Sequence, residues 1–154
     1  MDRLEYIRSK TDRILDTMQD DVSCKLAYVH LYGVSQMAAL LAKKRKLNVE
    51  LCCIAAMLHD ISQYETGIHA NHAYASSIRA KEILLATQEF SEEEINIITS
   101  AIAFHSDKHE THGDYEELLK DSDVLAHYFY NVNVPINEHD KVRLFYLLEE
   151  LQIH

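Results

Sequence analysis

The residues able to do chemistry in this chain are histidines and aspartates set into otherwise apolar stretches. His59 and Asp60 stand side by side at the end of the run Ile54-Ala55-Ala56-Met57-Leu58. His30 lies in a long apolar segment one turn before Gly33, His72 opens a helix-like stretch, and His105 closes another. Asp123 sits inside Leu118-Leu119-Lys120-Asp121-Ser122-Asp123-Val124-Leu125. Taken singly, each His reads as an imidazole satisfied by its neighbours, and Asp60 as a helix cap. Unpaired polar groups in apolar surroundings cost on the order of several kcal/mol, so such residues need partners. Four imidazoles and two carboxylates from five helices can satisfy one another around metal. Mixed imidazole and carboxylate ligands suit Fe, Mn, Co, Ni or Zn better than Mg or Ca. A bound ion of this kind brings the pKa of its water towards about 7 and polarises a phosphoryl oxygen.

Helices must position these residues. The end of a helix that carries free carbonyls favours a cation. Adjacent helical residues point roughly 100° apart, so His59 and Asp60 converge only where the chain turns. With 47% hydrophobic residues, three Gly and one Pro, the composition favours long helices over a many-stranded sandwich. No segment alternates like a strand, and no internal repeat or low-complexity segment interrupts the chain. A first helix over 2–18 carries Leu4, Ile7, Ile14 or Leu15, and Met18. A second over 22–46 has Leu26, Val29, Val34, Met37, Leu40 and Leu41 as its expected core face. Asn48 is the expected N-cap of a third, which ends at His59-Asp60. A loop over 62–71 leads to a fourth helix over 72–87, with Ala75, Ile78, Ile83 and Leu84 apolar. Ser91 and Glu94 form a capping box for a fifth helix, whose stripe Ile95, Ile98, Ile102 runs to His105. After a loop over 106–114, a sixth helix covers 115–130 and is broken at Asn133-Val134-Pro135. The last covers 138–151, with Val142, Phe145, Leu148 and Leu151 facing in. The expectation is an all-α, single-domain bundle of six to seven helices over 1–154.

A net charge of −10 with His neutral disfavours nonspecific binding to nucleic acid or to anionic membranes. Met1-Asp2-Arg3-Leu4-Glu5 has no apolar signal core, and no apolar run approaches a membrane span. Cys24, Cys52 and Cys53 are odd in number and lack CxxC spacing, as expected of reduced thiols in a cytoplasmic protein.

Together these residues resemble the HD-domain superfamily of metal-dependent phosphohydrolases, named for its His-Asp pair. The resemblance covers about 25–130 and implies that His30, His59, Asp60 and Asp123 hold a metal. In members with two metals, further histidines head a His-Ala-x-x-Gly/Ser-Ala segment and end an Ala-Ile-x-x-His segment. His72-Ala73-Tyr74-Ala75-Ser76-Ser77 and Ala101-Ile102-Ala103-Phe104-His105 are similar to these, adding His72 and His105 as ligands and implying Asp60 as a bridge. Ser62 stands where many relatives have Gly. No second domain supports an alarmone-synthetase or cyclic-dinucleotide subclass.

Several residues compete for roles. Asp121 competes with Asp123 and is expected to be a helix-surface acid. His69 competes with His72 and is expected to be solvated. Lys108, three residues past His105, is the first candidate to hold phosphate oxygens, and Arg79 the second. His127, one turn after Asp123, shares its helix face and is a candidate for substrate or outer-shell contact. Lys43-Lys44-Arg45-Lys46 reads as a solvated helix end favoured by the dipole, not a nucleic-acid patch. A separate zinc site from His105, His109 and His112 is disfavoured, because that loop has no Cys and His105 fits the other ligands.

The expected function is hydrolysis of a phosphate ester or phosphoanhydride of a nucleotide or small phosphorylated metabolite by metal-activated water. One or two divalent transition-metal ions are implied, with catalytic roles for Asp60, Lys108 and His127. A non-catalytic metal-containing binding module and a di-iron oxygenase are the alternatives. No nucleic-acid scaffold or membrane partner is expected, and a homodimer is left open by the exposed helix faces.

Overall fold

The computed structural model describes residues 1–154 and is all helical. Its elements are α1 (Arg3–Leu15), α2 (Asp21–Arg45), α3 (Val49–Leu58), α4 (Ile61–Thr66), α5 (His72–Thr87), α6 (Glu92–Phe104), α7 (Asp114–Tyr130) and α8 (Glu138–Leu151). These eight helices exceed the expected six to seven by α4, which occupies part of the expected loop over 62–71. Six residues are too few for a periodic apolar stripe, so α4 leaves no mark in the sequence pattern. No helix is long and apolar enough to cross a membrane.

The bundle is built around α3. Every residue from Leu51 to Leu58 is buried, and a helix that is apolar all round must be enclosed by others. α2, α6, α7 and α1 enclose it, α5 pairs with α6, α1 also lies on α4, and α8 packs on α7. Local signals set the helix starts as expected. The Asn48 side chain accepts from Leu51 N at 3.2 Å, and Ser91 and Glu94 complete their reciprocal capping box. Arg3 fastens α1 to the rest by pairing with Glu50 of α3 and Glu94 of α6. All three cysteines are free, Cys52 and Cys53 within the core.

Two helices are rotated from the faces expected of them. α2 buries Ala27, Leu31, Val34, Ser35, Ala38, Leu41 and Ala42, and leaves Leu26, Val29 and Leu40 exposed. Its small residues let α3 and α7 approach closely, with Gly33 lying against Ala126. α8 buries Leu147 and exposes Val142 and Phe145, because Arg143 and Glu150 turn inward to ion partners. On α5, Ile78 is exposed as well. Asp121 is no surface acid. It is buried, with Arg45 and Arg143 each 2.7 Å away. Arg45, also bonded to Glu150, is correspondingly not part of a solvated basic end.

Candidate metal centre

The six side chains singled out as ligands meet at one end of this bundle. His59 is the C-cap of α3, and Asp60 follows at φ −113°, ψ 10° as the first residue of the turn into α4. That turn brings two adjacent side chains to one point, which an uninterrupted helix would splay. Asp60 makes no side-chain capping bond, so its carboxylate is not spent on α4. His105 is the C-cap of α6, repeating the position of His59 on α3. His72 opens α5 after a tight connection in which Gly67 (φ 73°) and Asn71 (φ 53°) take left-handed conformations. His30 reaches in from α2 and Asp123 from α7.

Backbone carbonyls orient three of the rings. His59 Nδ1 donates to Ala56 O at 2.6 Å, His105 Nδ1 to Ile102 O at 2.7 Å, and His72 Nδ1 to His69 O at 3.1 Å. A carbonyl can only accept, so Nδ1 carries the proton and Nε2 of each neutral ring presents a lone pair inward. His30 and His59 then bring Nε2 atoms to 3.1 Å of each other, and His72 and His105 to 3.3 Å.

Asp60 stands between the two pairs. Its Oδ2 lies 3.4 Å from His30 Nε2 and 3.3 Å from His59 Nε2. Its Oδ1 lies 3.4 Å from His72 Nε2 and 3.2 Å from His105 Nε2. Asp123 Oδ1 joins the first pair, 3.4 Å from His30 and 3.9 Å from His59. Donors bound at about 2.0–2.2 Å around one ion sit roughly 3.0–3.6 Å apart, so all but the last of these spacings suit shared coordination. Asp60 Oδ1 is also buried with no hydrogen-bond donor directed at it. An orphaned carboxylate oxygen flanked by imidazole lone pairs is a cation site by its chemistry, and the donor set fits divalent transition metals.

Charge at the centre follows the same logic. Burial opposes ionisation of Asp60, and the His59, His105 and His30 rings overcome it, holding the carboxyl well below its ordinary range. Asp123 is held low against burial by His127, Lys108 and His59. Burial favours the neutral form of His59, but Asp60 and Asp123 lift its pKa to about 9. His105 is pulled down by its burial. The two carboxylates create a demand for positive charge that protons or a cation can meet.

The remaining candidates divide. Lys108 Nζ lies 2.6 Å from Asp123 Oδ2, on the opposite oxygen from His30. His127 is exposed, with Nε2 3.4 Å from Asp123 Oδ1 and its ring 4.8 Å from that of His30. The link to Asp123 raises its pKa. Arg79 is not a phosphate group holder here: it forks onto Glu65 at 2.8 and 2.9 Å, binds Glu82, and lies outside the cleft. His112 accepts from Lys120 and stacks on Phe104, and His109 meets His139, so the loop histidines form no site with His105. His69 is exposed, bonded to Gln63, and lines the cleft.

The centre opens into a cleft of about 980 Å³. Gln63, Tyr64 and Ser106 line it and were not singled out in the sequence; Ser106 Oγ lies 3.2 Å from His72 Nε2. Ser106 follows His105 directly, which is the signal that could have found it.

The HD-domain family profile matches residues 27–129, two thirds of the chain. The chain belongs to the HD-domain family. That family is a superfamily of metal-dependent phosphohydrolases, and the matched stretch contains every residue of the centre. An uncharacterized protein of Clostridium beijerinckii is 32% identical over 137 residues, covering 82% of this chain and 84% of its own. Among solved structures, a predicted HD superfamily hydrolase from an uncultured Thermotogales bacterium superposes with a TM-score of 0.62. It is 21% identical, over 94% of this chain and 88% of that one, and supports the fold.

Proposed function

We propose that this HD domain is a dinuclear metal-dependent phosphohydrolase acting on a phosphate ester or phosphoanhydride of a nucleotide or small phosphorylated metabolite. The observation that carries the reading is Asp60, whose two oxygens face two different histidine pairs. His30, His59, Asp60 and Asp123 would hold one ion, and His72, His105 and Asp60 the other. Ions so held would supply a water of lowered pKa and a Lewis acid for the phosphoryl oxygen.

The chain's own residues do the rest. Ala56, Ile102 and His69 carbonyls fix three imidazoles with Nε2 inward. Lys108 steadies Asp123 through Oδ2 and, from the cleft wall, compensates charge on the phosphoryl oxygens. His127 borders the same oxygen cluster from the solvent side and contacts substrate.

The test is elemental analysis of protein purified without chelators, in parallel with a phosphatase substrate panel, on wild type and Asp60→Asn. Wild type should carry close to two transition-metal ions per chain and hydrolyse at least one phosphate ester. Asp60→Asn should lose metal and turnover while its helical circular-dichroism spectrum is unchanged. An active variant with both ions would refute the assignment.

A further inference from the structure

The walls of the cleft narrow the substrate beyond "phosphorylated metabolite". Lys108 is the one lysine or arginine side chain among the lining residues, and its Nζ is already 2.6 Å from Asp123. Against it stand Asp20, Glu65, Asp60 and Asp123. Four carboxylates and one ammonium, with Arg79 forking Glu65 from just outside the lining, give the cleft a net charge of about −2 with its histidines uncharged. Two divalent ions would raise that to about +2. This suits one phosphate group. A triphosphate carries roughly twice the charge of a monophosphate dianion, and the walls hold no lysine or arginine beyond Lys108 to receive the excess.

Beyond the metal ligands, the cleft has no unpaired lysine or arginine for the rest of the substrate. Asp20 caps α2 through Ser23 N at 2.7 Å, and Glu65 is forked by Arg79. One wall is apolar. Leu26 and Val29, which flank His30 on α2, are about half exposed at 48% and 50%, and Tyr130 at 62% continues this wall three residues past His127. Large apolar side chains left open beside a hydrolytic centre are suited to an apolar or ring-bearing group. The lining also offers Gln19, Ser23 and Gln63, which are neutral hydrogen-bonding groups.

We infer that the substrate is the monophosphate ester of an uncharged alcohol with an apolar or aromatic body, and not a polyphosphate. This rests on the phosphohydrolase reading above, and the experiment separates the two. The 5′-mono-, di- and triphosphates of one nucleoside are compared by kcat/KM in the metal-reconstituted protein. Binding without turnover is measured by calorimetric titration of phenylphosphonate and methylphosphonate into wild type and Leu26→Asn.

The monophosphate should exceed the triphosphate by about tenfold or more, because unmatched like charge discriminates strongly in a confined site. Phenylphosphonate should bind about tenfold tighter than methylphosphonate, the return for roughly 50 Å² of ring removed from water. Leu26→Asn, at an exposed position, should shrink that advantage and leave methylphosphonate binding in place. A triphosphate hydrolysed as well as the monophosphate overturns the charge argument, and equal binding of the two phosphonates overturns the apolar wall. If no ester is turned over and no phosphonate binds, the phosphohydrolase reading itself falls, and this inference with it.

Discussion

Replacing Lys120 by methionine tests how the loop that carries Lys108 is held. The Lys120 side chain is fully buried, and its ammonium donates to Glu110 O at 2.8 Å, His112 Nδ1 at 2.8 Å and Glu117 Oε1 at 2.6 Å. Two of the three acceptors lie in the segment between α6 and α7, so one side chain pins that segment to α7. Arg143 of α8 adds a contact to the Lys108 carbonyl at 3.4 Å. Methionine keeps the aliphatic volume and removes the charge and all three donors. Deleting one partner of a buried pair costs about 3–5 kcal/mol when the other is stranded. Glu117 is not stranded: it keeps Arg143 at 2.8 Å and the His112 amide at 3.0 Å, and its side chain is 21% exposed. The expected loss is therefore about 2–3 kcal/mol, or roughly 4–12 °C in Tm for a domain of this size. Calorimetry at neutral pH measures it. The acid limb gives a second check. Burial favours the neutral Glu117 carboxyl, but Lys120, the His112 amide and Arg143 lower its pKa from 4.5 to about 2. A carboxylate lowered on folding stabilises above its unfolded pKa and loses that contribution as pH falls towards the folded value. The gap between wild type and variant should thus narrow as pH falls from about 5 towards 2. In turnover, a loosened loop should raise KM while the metal content holds. A variant melting within a degree of wild type, with KM unchanged, would refute the strut.

Three further outcomes follow from the same geometry. His72→Ala removes a donor from only one side of Asp60, so metal analysis should find close to one ion per chain; retention of two would remove His72 from the ligand set. Lys108→Ala should lower kcat/KM by about tenfold through the loss of one charge from Asp123 and the cleft, with metal content retained; unchanged kinetics would end its proposed phosphate role. Stripping the metal with a chelator should lower Tm by about 5–10 °C, since a ligand at 100 times its Kd stabilises by about 2.7 kcal/mol. A melt insensitive to chelator and to metal restoration would argue that no ion is linked to the fold.

The candidate metal centre was legible because each of its residues breaks a local pattern. His59 and His105 end apolar runs, and the carbonyls three residues behind them, on Ala56 and Ile102, orient both rings by a contact within the same helix end. The helix starts at Asn48 and Ser91 were readable for a similar reason, since a cap is a bond over three residues. The rotation of α2 and α8 was not. On α2, counting large apolar residues selected Leu26 and Val29, whereas close approach to α3 and α7 selects Ala27, Ala38 and Ala42 and leaves the larger pair for the cleft. On α8, the inward face is set by Arg143 meeting Asp121, and by Glu150 meeting Arg45 from 105 residues away, which no local period records.

The segment from Leu118 to Leu125 carries a further signal of the same kind. All eight of its residues are buried, four of them polar or charged. A helix so enclosed must send each polar side chain to a partner in a different direction, because an unsatisfied group would cost more than the burial of its neighbours returns. Asp123 turns to the cleft, Asp121 to Arg45 and Arg143, Lys120 to the loop, and Ser122 back to Leu118 O. Reading Asp123 as a ligand from its apolar setting already implied that Asp121 and Lys120, in that same setting, were partners and not surface charges. The site and its support thus share one helix: the charges behind α7 hold the Lys108 loop and α8, while Asp123 in front faces the cleft.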